Sequence, residues 1–228
     1  DYQVYKGFRV ITEVFNRIKI YKKEGHKNGK QQIVLYNPEG SKGEKITELK
    51  ASVFNLEKDE VIINKVSKES IFEVRQNKYF VIKKIAFPNI KNLSVIDFKY
   101  KIISPFENIK DLKFQFEIPV KKINYSVRIP EFFKYRLHPK GYYHITPKLS
   151  FKNRNFDFQT KDRMVNNVGG YVKQKGKSFK LNVSIKNSSF NAENIPALKD
   201  NEPYVSNIDN YKGGIRYELK QTDFMRFG

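Results

Sequence analysis

The sequence predicts an all-β fold, a sandwich of many antiparallel strands joined by short helical connections. Apolar residues alternate with charged ones from Phe8 to Ile20 and again from Val95 to Ile102, a period of two that belongs to strands with one buried face. Proline and glycine recur between such segments, at roughly the 8–12-residue spacing of sandwiches and barrels. The 19 Phe and 14 Tyr supply a core, since each ring can bury ~150–250 Å².

In order along the chain, Phe8, Val10, Thr12, Val14, Asn16, Ile18 and Ile20 alternate with Arg9, Glu13, Arg17 and Lys19, as one long strand or two joined near Asn16. A turn at Gly25 to Gly29 leads to a strand at Gln32–Tyr36. Asn37 to Gly43 is a loop, because its Pro and Gly residues forbid continuation. Ile46 to Leu56 gives a strand of imperfect alternation, and Val61 to Val66 returns as its hairpin partner. Lys68-Glu69-Ser70-Ile71-Phe72 reads as an irregular or one-turn helical connection.

Strands follow at Lys78–Ala86, Leu93–Ile103, Leu112–Ile118 and Lys122–Ile129. Tyr142–Phe151, Val172–Gln174 and Phe179–Ile185 continue the series. Asn187 to Pro203 is polar and carries one helical turn at most, and Ile215, Tyr217 and Leu219 alternate like a closing strand. The expected organisation is a single domain over 1–228, with 187–228 as an ordered extended tail. Ile195, Leu198, Tyr204, Val205, Ile208 and Tyr211 give that tail more apolar anchors than a solvated linker needs.

The chain has 228 residues and no cysteine, which excludes a disulfide, a thiolate nucleophile and a cysteine metal site. No run of about 20 apolar residues is present, so no transmembrane helix is expected. The opening Asp1-Tyr2-Gln3-Val4-Tyr5 lacks a signal segment and reads as the trimmed end of a longer precursor. A formal charge of +20 has two readings. One is an anionic partner: nucleic acid, a lipopolysaccharide-rich surface or an acidic protein. The other is solvation of outward strand faces, which the interleaving in Ile18-Lys19-Ile20 and Phe98-Lys99-Tyr100-Lys101 favours, as does the lack of a long basic block.

No constellation in the sequence calls for a catalytic, cofactor or metal site. Of the three histidines, His26 and His138 read as exposed loop residues, and His138 could approach His144 across the Pro139-Lys140-Gly141 turn. Zinc or iron would need three or four ligands, more than these supply. There is no G-x-S-x-G elbow. Asn167-Val168-Gly169-Gly170 and Lys175-Gly176-Lys177-Ser178 miss the phosphate-loop spacing and read as a glycine-marked hairpin. Aromatic and basic residues interleave at Phe132–Arg136 and Phe151–Phe156, but strand alternation buries such rings more often than it exposes them as stacking platforms. Nucleic acid is therefore not expected as a partner.

Several segments carry a family resemblance. They are Arg17-Ile18-Lys19-Ile20 with Glu24-Gly25, Leu49-Lys50-Ala51 with Phe54-Asn55-Leu56, Lys68 to Phe72, and Phe87-Pro88-Asn89-Ile90 with the strand at Ser94–Ile102. Further on come Phe114-Gln115-Phe116, Ile118-Pro119-Val120 and Ile129-Pro130-Glu131-Phe132-Phe133-Lys134-Tyr135. The tail adds Ile195-Pro196-Ala197-Leu198-Lys199-Asp200, Glu202-Pro203-Tyr204, Asn207-Ile208-Asp209-Asn210-Tyr211 and Tyr217-Glu218-Leu219. In order and spacing this resembles the domain of unknown function 3857 family, the N-terminal β-rich domain of transglutaminase-like cell-envelope proteins of Gram-negative bacteria. The chain departs from it at Leu93, where a turn glycine is expected, and at Lys113, where tryptophan is frequent.

The resemblance implies an immunoglobulin-like β-sandwich and a periplasmic or cell-envelope location, with a transglutaminase-like domain as the neighbour. The expected function is a non-catalytic scaffold or protein-interaction domain, with an envelope or outer-membrane protein as partner and strand addition as one mode of contact. Two alternatives stand beside it: an envelope-glycan binding module, marked by exposed aromatics beside carboxylates in a groove, and the substrate-docking domain of a transglutaminase-like enzyme whose catalytic part lies elsewhere.

Overall fold

After the two-residue strands β1 (Tyr2–Gln3) and β2 (Gly7–Phe8), the alternation that begins at Val10 forms β3 (Val10–Lys19). The computed structural model describes residues 2–3, 7–159, 163–167, 169–199 and 207–223. A 3-10 turn at Lys23–Gly29 leads to β4 (Lys30–Tyr36), then β5 (Lys45–Glu57), β6 (Glu60–Lys65), β7 (Ile71–Arg75), β8 (Phe80–Ala86) and β9 (Val95–Ser104). Beyond these come β10 (Leu112–Lys113), β11 (Val120–Pro130), β12 (Phe133–Lys140), β13 (Lys148–Gln159), β14 (Arg163–Asn167), β15 (Gly170–Gln174), β16 (Ser178–Ile195) and β17 (Gly214–Thr222). Every described pairing is antiparallel. The fold is an all-β sandwich.

Where the sequence reading has one domain over 1–228, the chain divides into two compact units, one of Phe8–Phe106 and one drawn from Glu107 onward. Each has its own core. In the first unit a four-stranded sheet, β3-β9-β5-β6, packs on a three-stranded sheet, β4-β8-β7. Val53, Ile96, Phe98 and Ile102 point inward from one sheet, and Ile33, Leu35 and Ile85 meet them from the other. Full burial of each such side chain is worth ~1.5–3 kcal/mol. The β5–β6 hairpin turns through Lys58 (φ 48°) and Asp59 (φ 66°), the two positive-φ residues of a type I′ turn.

The connection from β8 to β9 is held by a buried polar knot. The Ser94 hydroxyl donates to Asn55 Oδ1 and accepts from the Lys91 backbone N–H at 2.8 Å, while Asn55 Nδ2 donates to the Asn89 carbonyl at 2.9 Å. Asn55 and Ser94 are both buried. Asn89 (φ 51°) and Leu93 (φ 69°) take left-handed backbone so that the loop can reach these partners, and Leu93 N–H reaches the Ile20 carbonyl at 2.6 Å.

The second unit holds the sheets β10-β17-β12 and β11-β16-β13 and the hairpin β14-β15. Phe114, Ile123, Phe190, Ile195, Ile215 and Tyr217 form its core. Of the expected strand at 112–118, only Leu112–Lys113 pairs. Phe114 then turns inward, its N–H bonded to the Gly213 carbonyl at 2.8 Å, and Gln115 Oε1 accepts the Gly213 N–H at 3.1 Å. Position 213 is closed to any side chain, since a Cβ there would sit 2.2 Å from the Tyr143 carbonyl oxygen.

The stretch from 187, expected as a docked tail, is instead part of the framework. Its first residues finish β16, the middle strand of one sheet, and β17 is the middle strand of another. The backbone groups of Gly214–Thr222 need strands on both sides, and β10 and β12 provide them. Of the anchors, Ile195 is buried in the core, whereas Tyr204 and Val205 lie outside the described residues.

Candidate functional site

None of the three histidines meets another in a described contact. His26, in the 3-10 turn, lies 3.0 Å from Asn92 Oδ1 through Nε2. His138 belongs to β12 rather than a loop, because its strand pairs with β17, and its Nε2 lies 2.6 Å from Glu218 Oε2. Lys220 first, and His138 second, hydrogen-bond the Glu218 carboxylate and lower its pKa to about 2. His144 is exposed. Among the described residues, no group of three or more His, Asp and Glu side chains could hold a metal ion.

The glycine segments form a hairpin. Asn167 pairs with Gly170 across the β14–β15 turn, with Gly169 and Gly170 at φ 111° and 132°. Of the interleaved aromatics, Phe133 and Phe156 are buried while Phe151 is exposed. Tyr142 and Tyr211 form an exposed pair, 5.7 Å between ring centroids, and Asp209 nearby in the chain is bonded to Lys212 at 3.0 Å. A shallow depression of about 320 Å³ in the first unit is lined by Ile46, Thr47, Leu49, Lys68, Ile71 and Lys83. Lys83 is tied to Glu73 at 3.1 Å, and the lining contains neither a carboxylate pair nor a base beside a hydroxyl.

On the outer face of the four-stranded sheet part of the charge is paired within the sheet, while Lys50 and Lys99 lie directly opposite each other. Arg17 holds Asp97 through two hydrogen bonds of 2.7 and 2.6 Å, and Lys101 reaches Glu13 at 3.3 Å and Glu48 at 3.7 Å. Such exposed pairs contribute little stability, a median of ~0–1 kcal/mol each. They do show these lysines and arginines spaced among carboxylates along the strands.

The outer face of the three-stranded sheet is of another kind. The register places Val34, Ile82 and Val74 in one row across all three strands, with Tyr36 and Phe80 in the next row and Lys84 and Phe72 in the row on the other side. Val34, Phe72 and Val74 are 47%, 54% and 43% exposed. Tyr79 stacks on Tyr36 at 6.4 Å and Phe80 meets Tyr36 edge-on at 5.6 Å. A contiguous apolar patch of this sort marks an interaction surface more often than a solvated face. At its side, β7 ends the sheet among the described residues.

This architecture has a counterpart. The chain is similar to the crystal structure of a "putative protease" from Parabacteroides distasonis ATCC 8503, with a TM-score of 0.61 at 16% identity, covering 94% of this chain and 37% of that one. The likeness extends to the fold alone. No protein-family model matches the chain, and no curated protein does. Among the described residues, no helix is long and apolar enough to cross a membrane.

Sequence reasoning missed the apolar face for an identifiable reason. It takes 68–72 as an irregular connection, whereas the 3-10 turn stops at Ser70 and β7 begins at Ile71. Once β7 is a strand, Phe72 and Val74 fall on one side of the sheet, opposite Ile71 and Glu73. The alternation Phe72-Glu73-Val74-Arg75 was the available signal.

Proposed function

We propose that the chain is a non-catalytic scaffold and protein-interaction module, and that the apolar outer face of β4-β8-β7 with the β7 edge is where it meets a partner protein. The observation that carries this reading is the row Val34–Ile82–Val74 flanked by Phe72, Tyr36 and Tyr79 on a folded sheet. Leaving that area wet forgoes ~25 cal/mol per Å² on covering it. A partner strand added at β7 would extend the hydrogen-bond ladder while its side chains rest on the same patch. The resemblance to the domain of unknown function 3857 family supports a Gram-negative cell envelope as the setting and an envelope or outer-membrane protein as the partner.

The test is a capture experiment with matched variants. Val74→Lys with Phe72→Ser should lose the envelope-membrane partners that the unaltered chain retains, while Tyr142→Ser on the other unit keeps them. Equal capture by both variants rejects the assigned face. Acyl transfer or peptide hydrolysis by repurified chain would reject the non-catalytic reading.

One observation favours a second reading, the docking part of a larger enzyme. The same fold accounts for 37% of a longer chain named as a protease. A substrate peptide that binds Phe8–Phe106 and competes with no membrane protein would support it over the scaffold role.

A further inference from the structure

Among the described residues, strand β6 ends the four-stranded sheet, and it lacks devices that several other edges carry against pairing. The opposite edge, β3, carries Glu13, Arg17 and Lys19 outward, and in the second unit the edges β11 and β12 carry Pro130 and Pro139. By contrast, β6 reads Glu60-Val61-Ile62-Ile63-Asn64-Lys65, without proline or a bulge, and Val61, Ile62 and Ile63 are 61%, 40% and 55% exposed. Leu56, paired with Val61 on β5, is exposed as well.

The direction of its free backbone groups follows from the register. Val66 N–H bonds the Ala51 carbonyl at 2.9 Å just past the strand, so the even-numbered residues of β6 address β5 and Val61 and Ile63 turn their N–H and C=O groups away from it. Val61 and Ile63 share the outer face, and Ile62 lies on the inner one.

We propose that β6 pairs antiparallel with β6 of a second copy of this chain, about a two-fold axis through Ile62. A two-fold perpendicular to the sheet pairs only residues of like face, and this one sets Val61 against the partner's Ile63, Ile62 against the partner's Ile62 and Glu60 against the partner's Asn64, and it brings the turn residue Asp59 to the end of the ladder beside the partner's Lys65. Val61 and Ile63 then exchange N–H···O bonds in both symmetry-related pairs, in phase with the groups left free by β5. Every apolar side chain meets an apolar one, and the charges brought together at the ladder's end are of opposite sign. An axis shifted to Ile63 would set Val61 against lysine and Ile62 against asparagine. The self-complementarity of 59–65 is what selects a second copy over an unrelated strand. The interface is isologous and joins two sheets edge to edge. It uses a different sheet from the partner face described above and does not depend on it.

The full chain, 1–228, should sediment as a concentration-dependent dimer. Ile63→Pro removes only an outward N–H, leaves the β5 ladder intact, and should weaken association by at least about tenfold through the two lost bonds. Asp59→Lys or Lys65→Asp alone should weaken the dimer, and the two together should restore it. Because the chain has no cysteine, single replacements report the register. Ile62→Cys should form an intermolecular disulfide under mild oxidation much faster than Ile63→Cys or Tyr142→Cys. A monomer at every concentration, a dimer indifferent to Ile63→Pro, or fastest cross-linking at Ile63→Cys would overturn the proposal.

Discussion

Replacing Asn55 tests whether the polar knot beneath the β8–β9 loop holds the first unit together. Asn55→Leu keeps the volume close and removes two hydrogen bonds, one given to the Asn89 carbonyl at 2.9 Å and one taken from the Ser94 hydroxyl. Each is worth ~1 kcal/mol net, and a buried hydroxyl proton left without an acceptor adds ~1–3 kcal/mol, so the expected loss is about 3 kcal/mol. Ser94 is nearly inaccessible to solvent, which rules out easy rescue by water. Urea unfolding followed by far-UV circular dichroism gives the loss directly, with hydrogen exchange of the β9 amides assigning it to this unit. Ser94→Ala should also destabilise, and the double variant should cost less than the sum, because Asn55 and Ser94 satisfy each other. A loss below about 0.5 kcal/mol for Asn55→Leu, or strict additivity with Ser94→Ala, would refute the argument.

Two further outcomes are expected. Leu93 sits at φ 69° with its side chain exposed, so Leu93→Gly relieves left-handed strain at little packing cost and should stabilise by about 0.5 kcal/mol; a thermal melt showing clear destabilisation would contradict this. Glu218 titrates at about 2 in the folded chain, below the usual 4.5, so its contribution is present in full above pH 4.5 and is lost as pH falls toward 2. Carboxyl NMR should show that midpoint rising in Lys220→Gln.

The elements visible in the sequence were those whose two faces differ sharply. Val95 to Ile102 puts Ile96, Phe98 and Ile102 inside and Asp97, Lys99 and Lys101 outside, and β9 runs through it. Strand β16 was visible only as far as Ile185, because Asn187-Ser188-Ser189 carries no apolar signal. There the buried position is Ser188, while Asn187 bonds Ser126 and Ser150 across the sheet and Ser189 along its own strand. Its length also defeats a simple reading. Val183 and Phe190 are both fully buried but point to opposite faces, so no single alternation describes the strand. Strand β12 was hidden by Pro139, which an edge strand tolerates and a middle strand would not. Edge status itself was illegible, since it depends on the order β3-β9-β5-β6, set by pairings far apart in the chain. For the same reason β6 read only as half of a hairpin, and its unpaired side had no sequence signal.

The placement of β17 has a consequence for how the protein emerges from the ribosome. The first unit has all seven strands of its two sheets by Ser104, and it can close while the rest is still being made. The second cannot. Its sheet β10-β17-β12 has an empty middle until Gly214–Thr222 is synthesised, and Phe114 waits for the Gly213 carbonyl, about a hundred residues later in translation. Over that interval residues 112–113 and 133–140 have no strand to pair with and the aromatic core is uncovered, the state in which a chain is exposed to chaperones and to misassembly with its neighbours. The nascent protein is thus a finished sandwich trailing an unfinished one.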